Sequence, residues 1–127
     1  MRGGNMLSRF AILAAAVLAS TAAQAETFKP LTGTFTIRWI NNDATNPITL
    51  KEVNGKITGT YKSDSDKAMC NVTGLREQGG ALWQGTIICP SWTIELDGAS
   101  TPNGRMSAGK YFAYGDAPGA FVMTRGK

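Results

Sequence analysis

The residues of this chain with the clearest chemical potential are its large aromatic side chains. Three tryptophans and three tyrosines fall in or beside runs with the composition of β-strands: Trp39, Tyr61, Trp83, Trp92, Tyr111 and Tyr114. Such rings either fill a core or line a pocket, where they bury a small apolar ligand while a few hydroxyl groups orient it. Core filling is the simpler interpretation. The pocket interpretation makes Trp39, Trp83 and Trp92 candidate ligand-binding residues.

Histidine is absent from the chain. This absence removes the Ser-His and Cys-His nucleophile systems and most zinc or copper sites. Carboxylates are the remaining acid–base candidates, and Glu95 and Asp97 share one face of a predicted strand. Trp92, Ile94 and Leu96 occupy the opposite face as expected core residues, so the carboxylate pair is expected to be solvated. We therefore predict no catalytic residues and a protein that is not an enzyme.

The oxygen and sulfur ligands of the chain do not predict a metal site. Asp64-Ser65-Asp66 could offer oxygen ligands to calcium, but it lacks the spaced acidic residues and terminal glutamate of an EF-hand loop. A turn between two strands explains it better. Cys70 and Cys89, without a histidine, would supply half of a zinc site. The sequence predicts neither a metal nor a cofactor.

The first 25 residues indicate the compartment. Arg2 and Arg9 flank a short basic region, and residues 10–19 form an unbroken apolar run. Ala23-Gln24-Ala25 has the small-x-small pattern that a signal peptidase recognises. The apolar run is about half of the roughly 20 residues that span a bilayer, so a membrane anchor is the weaker alternative. We predict a signal peptide over residues 1–25, cleaved after Ala25, and a periplasmic or secreted bacterial protein without stable membrane insertion.

Cleavage there changes the size and charge of the chain. Residues 26–127 form a single expected domain of 102 residues, which is 127 minus 25. Two arginines leave with the signal, so Lys+Arg falls from 13 to 11 against nine Asp+Glu, and the net charge falls from +4 to +2. No run of lysine or arginine remains, so nucleic acid is not an expected partner. The expected partner is a small-molecule ligand or another protein.

The only two cysteines, Cys70 and Cys89, are predicted to form a disulfide. An even number of cysteines in an exported chain favours this outcome. Gly79-Gly80 separates two strand-like runs, residues 69–75 and 81–89, and folding the chain about it brings Cys70 close to opposite Cys89. The bridge would close a loop of roughly 20 residues, which the chain-entropy treatment values at about 3 kcal/mol.

The mature chain has the pattern of about eight short strands. Runs rich in threonine, β-branched and aromatic residues alternate with turn residues, and no stretch keeps helical periodicity for three turns. The predicted connections include Asn54-Gly55, Gly79-Gly80, Asp97-Gly98, Asn103-Gly104, residues 115–119 and a longer polar loop at residues 41–47. Consecutive hairpins close most simply into a small antiparallel up-and-down β-barrel, which leaves no sheet edge exposed. A two-sheet sandwich is the alternative architecture.

Asn54-Gly55 fixes the register of its hairpin. This dipeptide favours a two-residue type I′ turn, in which both central residues have positive φ. Val53 then lies opposite Lys56, and Ile48 lies opposite Tyr61. The predicted inner face gathers Ile48, Leu50, Ile57 and Tyr61. The outer face gathers threonines and lysines, as a sheet with one buried side requires.

Several short motifs resemble the avidin and streptavidin family. Residues 57–63, ITGTYKS, resemble the family's L-T-G-T-Y-x-S strand, and residues 31–35, LTGTF, resemble its opening strand. Residues 72–74, VTG, and residues 121–124, FVMT, resemble the start of its next hairpin and its final W-L-L-T strand. The family consists of exported eight-stranded up-and-down barrels that bind biotin, so the resemblance implies this fold and a small ligand.

The resemblance also implies roles for two residues. Tyr61 and Ser63 fall where the family places two hydroxyl groups on the ureido oxygen of the ligand. The family's asparagine and serine shortly after the first aromatic residue are not evident, and Thr36, Arg38 and Asn41 stand in that region.

Two functional hypotheses follow. In the first, the protein is an exported, non-enzymatic binding protein that takes a small ligand, such as a biotin-like one, in an aromatic-lined barrel. In the second, it is a periplasmic inhibitor of a protease or of lysozyme. That inhibitor would act through an exposed N-terminal arm, residues 26–31, or through the polar loop at residues 41–47.

Overall fold

The computed structural model describes residues 27–64, 69–77 and 79–126, and this part of the chain is all-β. The strands are β1 (Gly33–Trp39), β2 (Ala44–Val53), β3 (Lys56–Lys62), β4 (Met69–Arg76), β5 (Leu82–Ile88), β6 (Thr93–Ser100), β7 (Met106–Ala113) and β8 (Gly119–Arg125). The predicted signal peptide, residues 1–25, lies outside the described residues, as do Glu26, Ser65 and Asp66. Within the described ranges, no helix is long and apolar enough to cross a membrane.

The eight strands form one closed barrel. Each strand pairs antiparallel with the next in sequence, and β8 returns to pair with β1 between Phe35↔Arg125 and Trp39↔Phe121. The predicted up-and-down β-barrel is confirmed, and the two-sheet sandwich is wrong. Because the sheet closes on itself, every strand has two hydrogen-bonded neighbours and no sheet edge is left free.

Alternation along the strands places an apolar core inside the barrel. Phe35, Ile37, Ile57, Ile87 and Met123 have no exposed surface. Residues between them on the same strands face solvent, as the burial patterns of β1 and β3 show. This period of two is the one that a sheet with a buried inner face requires.

The Asn54-Gly55 hairpin and the disulfide have the predicted geometry. Asn54 and Gly55 have φ angles of 54° and 79°, and the pairs run from Val53↔Lys56 to Ile48↔Tyr61. Cys70 and Cys89 form a disulfide with their Cα atoms 4.5 Å apart. The bridge extends the β4–β5 pairing by one position beyond Asn71↔Ile88, so it closes its own hairpin as expected.

Asp97-Gly98 is not a turn, contrary to the prediction. Both residues lie inside β6, which continues to Ser100, and the chain reverses at Asn103-Gly104. Gly98 serves packing: a Cβ atom there would lie 2.6 Å from the indole nitrogen of Trp83. The glycine therefore makes room for a ring inside the barrel.

The polar loop predicted at residues 41–47 is also wrong in extent. The amide of Asp43 donates to the carbonyl of Trp39 at 2.7 Å and closes a short turn, and Asp43 has a φ of 61°. β2 begins at Ala44, and Pro47 pairs with Thr36 inside the sheet. The segment therefore does not form the long exposed loop that the inhibitor hypothesis required.

The barrel has two different ends. We call the closed end the one where β1 begins and where the β2–β3, β4–β5 and β6–β7 turns lie. Residues 27–32 pack against it: Leu31 is fully buried, and the amide of Lys29 donates to the carbonyl of Pro102 at 3.0 Å. The proposed inhibitory arm is thus tied to its own barrel over residues 27–31. The opposite end, where β1 ends, is the open end.

Candidate functional site

A pocket of about 300 Å³ lies at the open end of the barrel. Its lining comes from inward-facing residues near the ends of β1, β2, β3, β6 and β7 and from the adjoining connections. The lining residues are Trp39, Asn42, Ala44, Asn46, Tyr61, Ser63, Asp64, Trp92, Ile94, Tyr111, Ala113 and Asp116. Their burial divides them into a floor, walls and a rim.

The floor is a hydrogen-bonded group of buried side chains. Trp39, Tyr61 and Asn46 are 6%, 4% and 4% exposed. The indole N–H of Trp39 donates to Asn46 Oδ1 at 3.0 Å and to the Tyr61 hydroxyl oxygen at 3.3 Å. Asn46 Nδ2 donates to the carbonyl of Lys62 at 3.3 Å. These bonds fix the orientation of both rings, because a buried polar group without a partner would be costly.

The walls are aromatic rings that stand nearly perpendicular to the rings of the floor. Trp39 and Tyr111 have ring centroids 4.9 Å apart at 75°, and Tyr61 and Trp92 have centroids 6.2 Å apart at 79°. Trp39 and Tyr61 meet at 6.1 Å and 76°. Edge-to-face contacts of this kind stabilise each pair by about 0.5–1.5 kcal/mol beyond burial. The four rings therefore form a preorganised aromatic box.

Trp92 is positioned by the disulfide-bonded hairpin. The amide of Cys89 donates to the carbonyl of Trp92 at 2.9 Å, so the connection between β5 and β6 is a closed turn. Cys89 is bonded to Cys70, whose neighbour across the β3–β4 pairing is Tyr61. The covalent bridge thus links the segment that carries Trp92 to the strand beside Tyr61.

The rim is polar and exposed. Asn42 comes from the β1–β2 turn, Asp64 follows β3, and Asp116 lies between β7 and β8. Among the described residues that line the pocket, none is lysine or arginine. The described part of the chain also holds no group of three or more carboxylate or thiol residues that could bind a metal ion.

Tyr61 has a perturbed hydroxyl. Burial raises its pKa above the ordinary value of 10.0, the hydrogen bond from Trp39 lowers it, and the carboxylate of Asp64 raises it further. The hydroxyl is therefore neutral at physiological pH. It accepts a hydrogen bond from Trp39 and keeps its own proton for donation.

The structure brings together four of the five residues named from the sequence. Trp39, Tyr61, Ser63 and Trp92 all line the pocket. Trp83 does not: it is buried near the closed end, where its indole N–H donates to Ser107 Oγ at 2.6 Å. It also borders a depression on the outer surface of the barrel.

Sequence reasoning missed several lining residues. The sequence pattern predicts a loop at Asn46, although its spacing from Ile48 and Leu50 puts it on the inner face of β2. The pattern identifies Tyr111 as an aromatic residue of a strand but does not place it at the site. Asp64 and Asp116 lie in connections, where alternation gives no information about direction.

The residues that stand in the place of the resembled family's asparagine and serine point elsewhere. Thr36 and Arg38 lie on the outer face of β1, and Arg38 pairs with Asp43 at 3.0 Å. Asn41 is exposed in the following turn. A buried amide reaches the pocket from β2 instead, through Asn46.

The carboxylate pair Glu95 and Asp97 lies on the exposed outer face of β6, away from the pocket. Two further depressions, of about 590 and 630 Å³, lie along the outer surface of β3 to β7. They are lined largely by outward-facing residues of neighbouring strands. The open-end pocket differs from them because side chains from opposite walls of the barrel converge on it.

No protein-family model and no curated protein sequence matches this chain.

Proposed function

We propose that this chain is an exported, non-enzymatic binding protein that takes a small ligand in the pocket at the open end of its barrel. The observation that carries the proposal is the convergence of four aromatic rings, a buried amide and a buried hydroxyl at one end of a barrel that is filled at the other. Binding sites for small molecules combine apolar walls with a few polar groups in this way. Export is supported by the signal pattern of residues 1–25 and by the disulfide.

The pocket favours a small or partly inserted ligand. Its volume of about 300 Å³ is at the lower end of the range of roughly 300–1,000 Å³ for ligand sites. The floor offers the Tyr61 hydroxyl as a hydrogen-bond donor, and Ser63 lies beside it in the lining. Because the resemblance to the avidin family assigns these two hydroxyls to a ureido oxygen, biotin is the first compound to test.

Three tryptophan indole groups allow the proposal to be tested by NMR. The mature, disulfide-bonded chain is screened against biotin and a library of small fragments, with the indole N–H resonances as reporters. Ligands of the pocket should shift the Trp39 and Trp92 signals. Trp83 serves as an internal control, because its N–H is bonded to Ser107 near the other end of the barrel.

Two variants complete the test. Trp92→Ala removes one wall of the aromatic box and should weaken every hit by about tenfold or more, since an aromatic contact with a desolvated ligand contributes about 1–2 kcal/mol. Phe112→Ala, on the outer face of β7, should leave the affinities unchanged. The proposal is wrong if no fragment shifts Trp39 or Trp92, or if the hits shift Trp83 and outer-surface residues instead.

A further inference from the structure

Within the part of the chain that the structure describes, the charged residues that line the open-end pocket are both acidic. Asp64 and Asp116 lie in separate connections of the barrel and both border the pocket. The cations nearest in sequence to its lining face away from it. Lys62 and Lys110 are exposed on the outer sides of β3 and β7, and Arg38 lies on the outer side of β1. Among the described lining residues the carboxylates are therefore not neutralised from within the pocket.

The negative charge at the rim acts inside the pocket. Asp64 raises the pKa of Tyr61, a hydroxyl of the floor. The side chain of Tyr61 is 4% exposed, so part of the intervening space has a lower effective dielectric constant than water. A positive charge on a ligand beside Tyr61 would be attracted by the same carboxylate.

The aromatic box adds a second attraction of the same sign. The faces of tryptophan and tyrosine rings carry negative partial charge, and cages of such rings bind ammonium groups. Trp39, Tyr61, Trp92 and Tyr111 are held at steep angles to one another. The pocket borders all four rings, so a compact cation inside it can contact more than one of them.

The floor offers little to an anion. The indole N–H of Trp39 donates to Asn46 and Tyr61, and Asn46 Nδ2 donates to a backbone carbonyl. The indole N–H and one N–H of the Asn46 amide are thus already used within the protein. An anionic group would lose its hydration, meet two carboxylates and find the Tyr61 hydroxyl as the main remaining donor of the floor.

We propose that the open-end pocket selects ligands that carry an alkylammonium group, held between the aromatic rings and the carboxylates of Asp64 and Asp116. The inference rests on the proposed function, because it specifies the ligand class of the same pocket. It predicts that biotin, whose carboxylic acid is ionised at neutral pH, binds in this pocket more weakly than a cationic ligand of similar size does.

Three probes of nearly the same shape test the charge preference. Choline is the cation, 3,3-dimethylbutan-1-ol replaces its quaternary nitrogen by carbon, and 3,3-dimethylbutanoate is an anion of similar shape. Each is titrated into the mature protein while the Trp39 and Trp92 indole resonances are followed. Choline should bind about tenfold more tightly than the alcohol, since cation–π attraction in a partly desolvated site contributes about 1–2 kcal/mol, and the anion should bind most weakly.

Charge-removing variants assign the effect to the rim. Asp64→Asn and Asp116→Asn should each weaken choline about two- to fivefold, because the carboxylates are exposed and partly screened, and should change the affinity for the alcohol less than that for choline. Asp97→Asn, on the outer face of β6, is the matched control and should have no effect.

The outcomes separate this inference from the proposed function. If the alcohol binds as tightly as choline, or if the double variant of Asp64 and Asp116 keeps the full preference, the inference is wrong and the pocket remains a neutral-ligand site. If fragments bind in the pocket but choline does not, the inference is also wrong while the proposed function stands. If no compound of any charge reaches the pocket, both are wrong.

Discussion

The two ends of this barrel use similar residues, but one end is filled by them and the other end holds a pocket between them. At the closed end, a tryptophan and an ion pair are buried, and their polar atoms are paired within the protein. At the open end, tryptophans and carboxylates lie around a pocket. The type of a residue therefore does not decide whether it belongs to the core or to the site. Its position along the barrel axis decides this.

The ion pair of the closed end is part of a buried network. Arg76 Nε donates to both carboxylate oxygens of Glu52, at 2.7 and 2.9 Å, and both side chains are about 5% exposed or less. Arg76 also donates to the carbonyls of Gly80 and Phe28. The amide of Leu31 donates to Glu52 Oε1 at 2.8 Å. The network therefore holds the N-terminal segment and a turn onto the barrel.

The open end carries a contrasting ion pair. Arg38 and Asp43 lie 3.0 Å apart across the β1–β2 turn, but their side chains are 48% and 78% exposed. Water and salt screen such a pair, and exposed pairs contribute about 0–1 kcal/mol. The two pairs thus have similar distances and very different expected contributions to stability.

The largest expected effect tests this contrast. Arg76→Met leaves the carboxylate of Glu52 buried without its cation, which should lower the free energy of unfolding by about 3–5 kcal/mol. Arg38→Met, the matched change at the open end, should lower it by about 1 kcal/mol at most. Urea denaturation of both variants measures the difference.

A double variant shows whether the cost of Arg76→Met arises from the stranded charge. Glu52→Leu combined with Arg76→Met replaces the pair by apolar side chains, and most of the lost stability should return. If Arg76→Met lowers the free energy of unfolding no more than Arg38→Met does, the buried pair of the closed end stabilises the barrel no more than the exposed pair of the open end.

The second expected effect concerns the disulfide near the open end. Replacing both cysteines by alanine opens the loop between Cys70 and Cys89, with a sequence separation of 19 residues. It should lower the free energy of unfolding by about 3 kcal/mol in the chain-entropy treatment. Because the bridge lies next to the turn that carries Trp92, the Trp92 indole resonance should broaden or shift while that of Trp83 stays in place.

The control for this prediction is the protein's own closed end. Chemical denaturation of the double cysteine variant gives the stability loss, and the two indole signals report which end responds. A loss of stability in which Trp83 changes as much as Trp92 would show that the bridge supports the whole barrel instead of the open end.

The sequence predicts the closed barrel because local rules determine it. Asn54-Gly55 sets its turn and register through positive φ angles, and the register of the Gly79-Gly80 hairpin places the two cysteines opposite each other. These are short-range effects, so alternation and turn chemistry suffice. The eight-strand count follows from the same pattern.

The pocket is less predictable because it depends on contacts across the barrel. Gly98 looks like a turn residue in sequence, and its role depends on Trp83 from the neighbouring strand. Trp83 and Trp92 are equivalent by alternation, and they lie near the starts of neighbouring antiparallel strands. They therefore reach opposite ends of the barrel, and the alternation does not say which end holds a pocket. Asn46 is hidden for the same reason, since its partner Trp39 comes from another strand.

The smallest expected effect reports how well water is excluded from the Tyr61 hydroxyl in the floor of the open-end pocket. Burial is the main cause of the raised pKa of Tyr61. The unfolded chain, whose tyrosines titrate near 10, therefore releases this proton at a lower pH than the folded protein does. The unfolded state binds fewer protons in that window, so the free energy of unfolding should be unaffected well below pH 10 and fall as the pH rises through about 10. The fall should end above the raised pKa of the folded state.

Tyr61→Phe isolates the contribution of Tyr61 from that of every other group in the chain. The variant also loses the hydrogen bond from Trp39, which lowers its stability by a constant amount and leaves the slope as the informative quantity. The free energies of unfolding, measured by urea denaturation at several pH values above and below about 10, should fall more steeply for the wild type, by at most about 1.4 kcal/mol per pH unit. Parallel curves would mean that Tyr61 titrates like a solvated phenol. The floor of the pocket would then be as accessible to water as its rim. The two ends of the barrel would differ less in solvent access than the burial of the Tyr61 hydroxyl indicates.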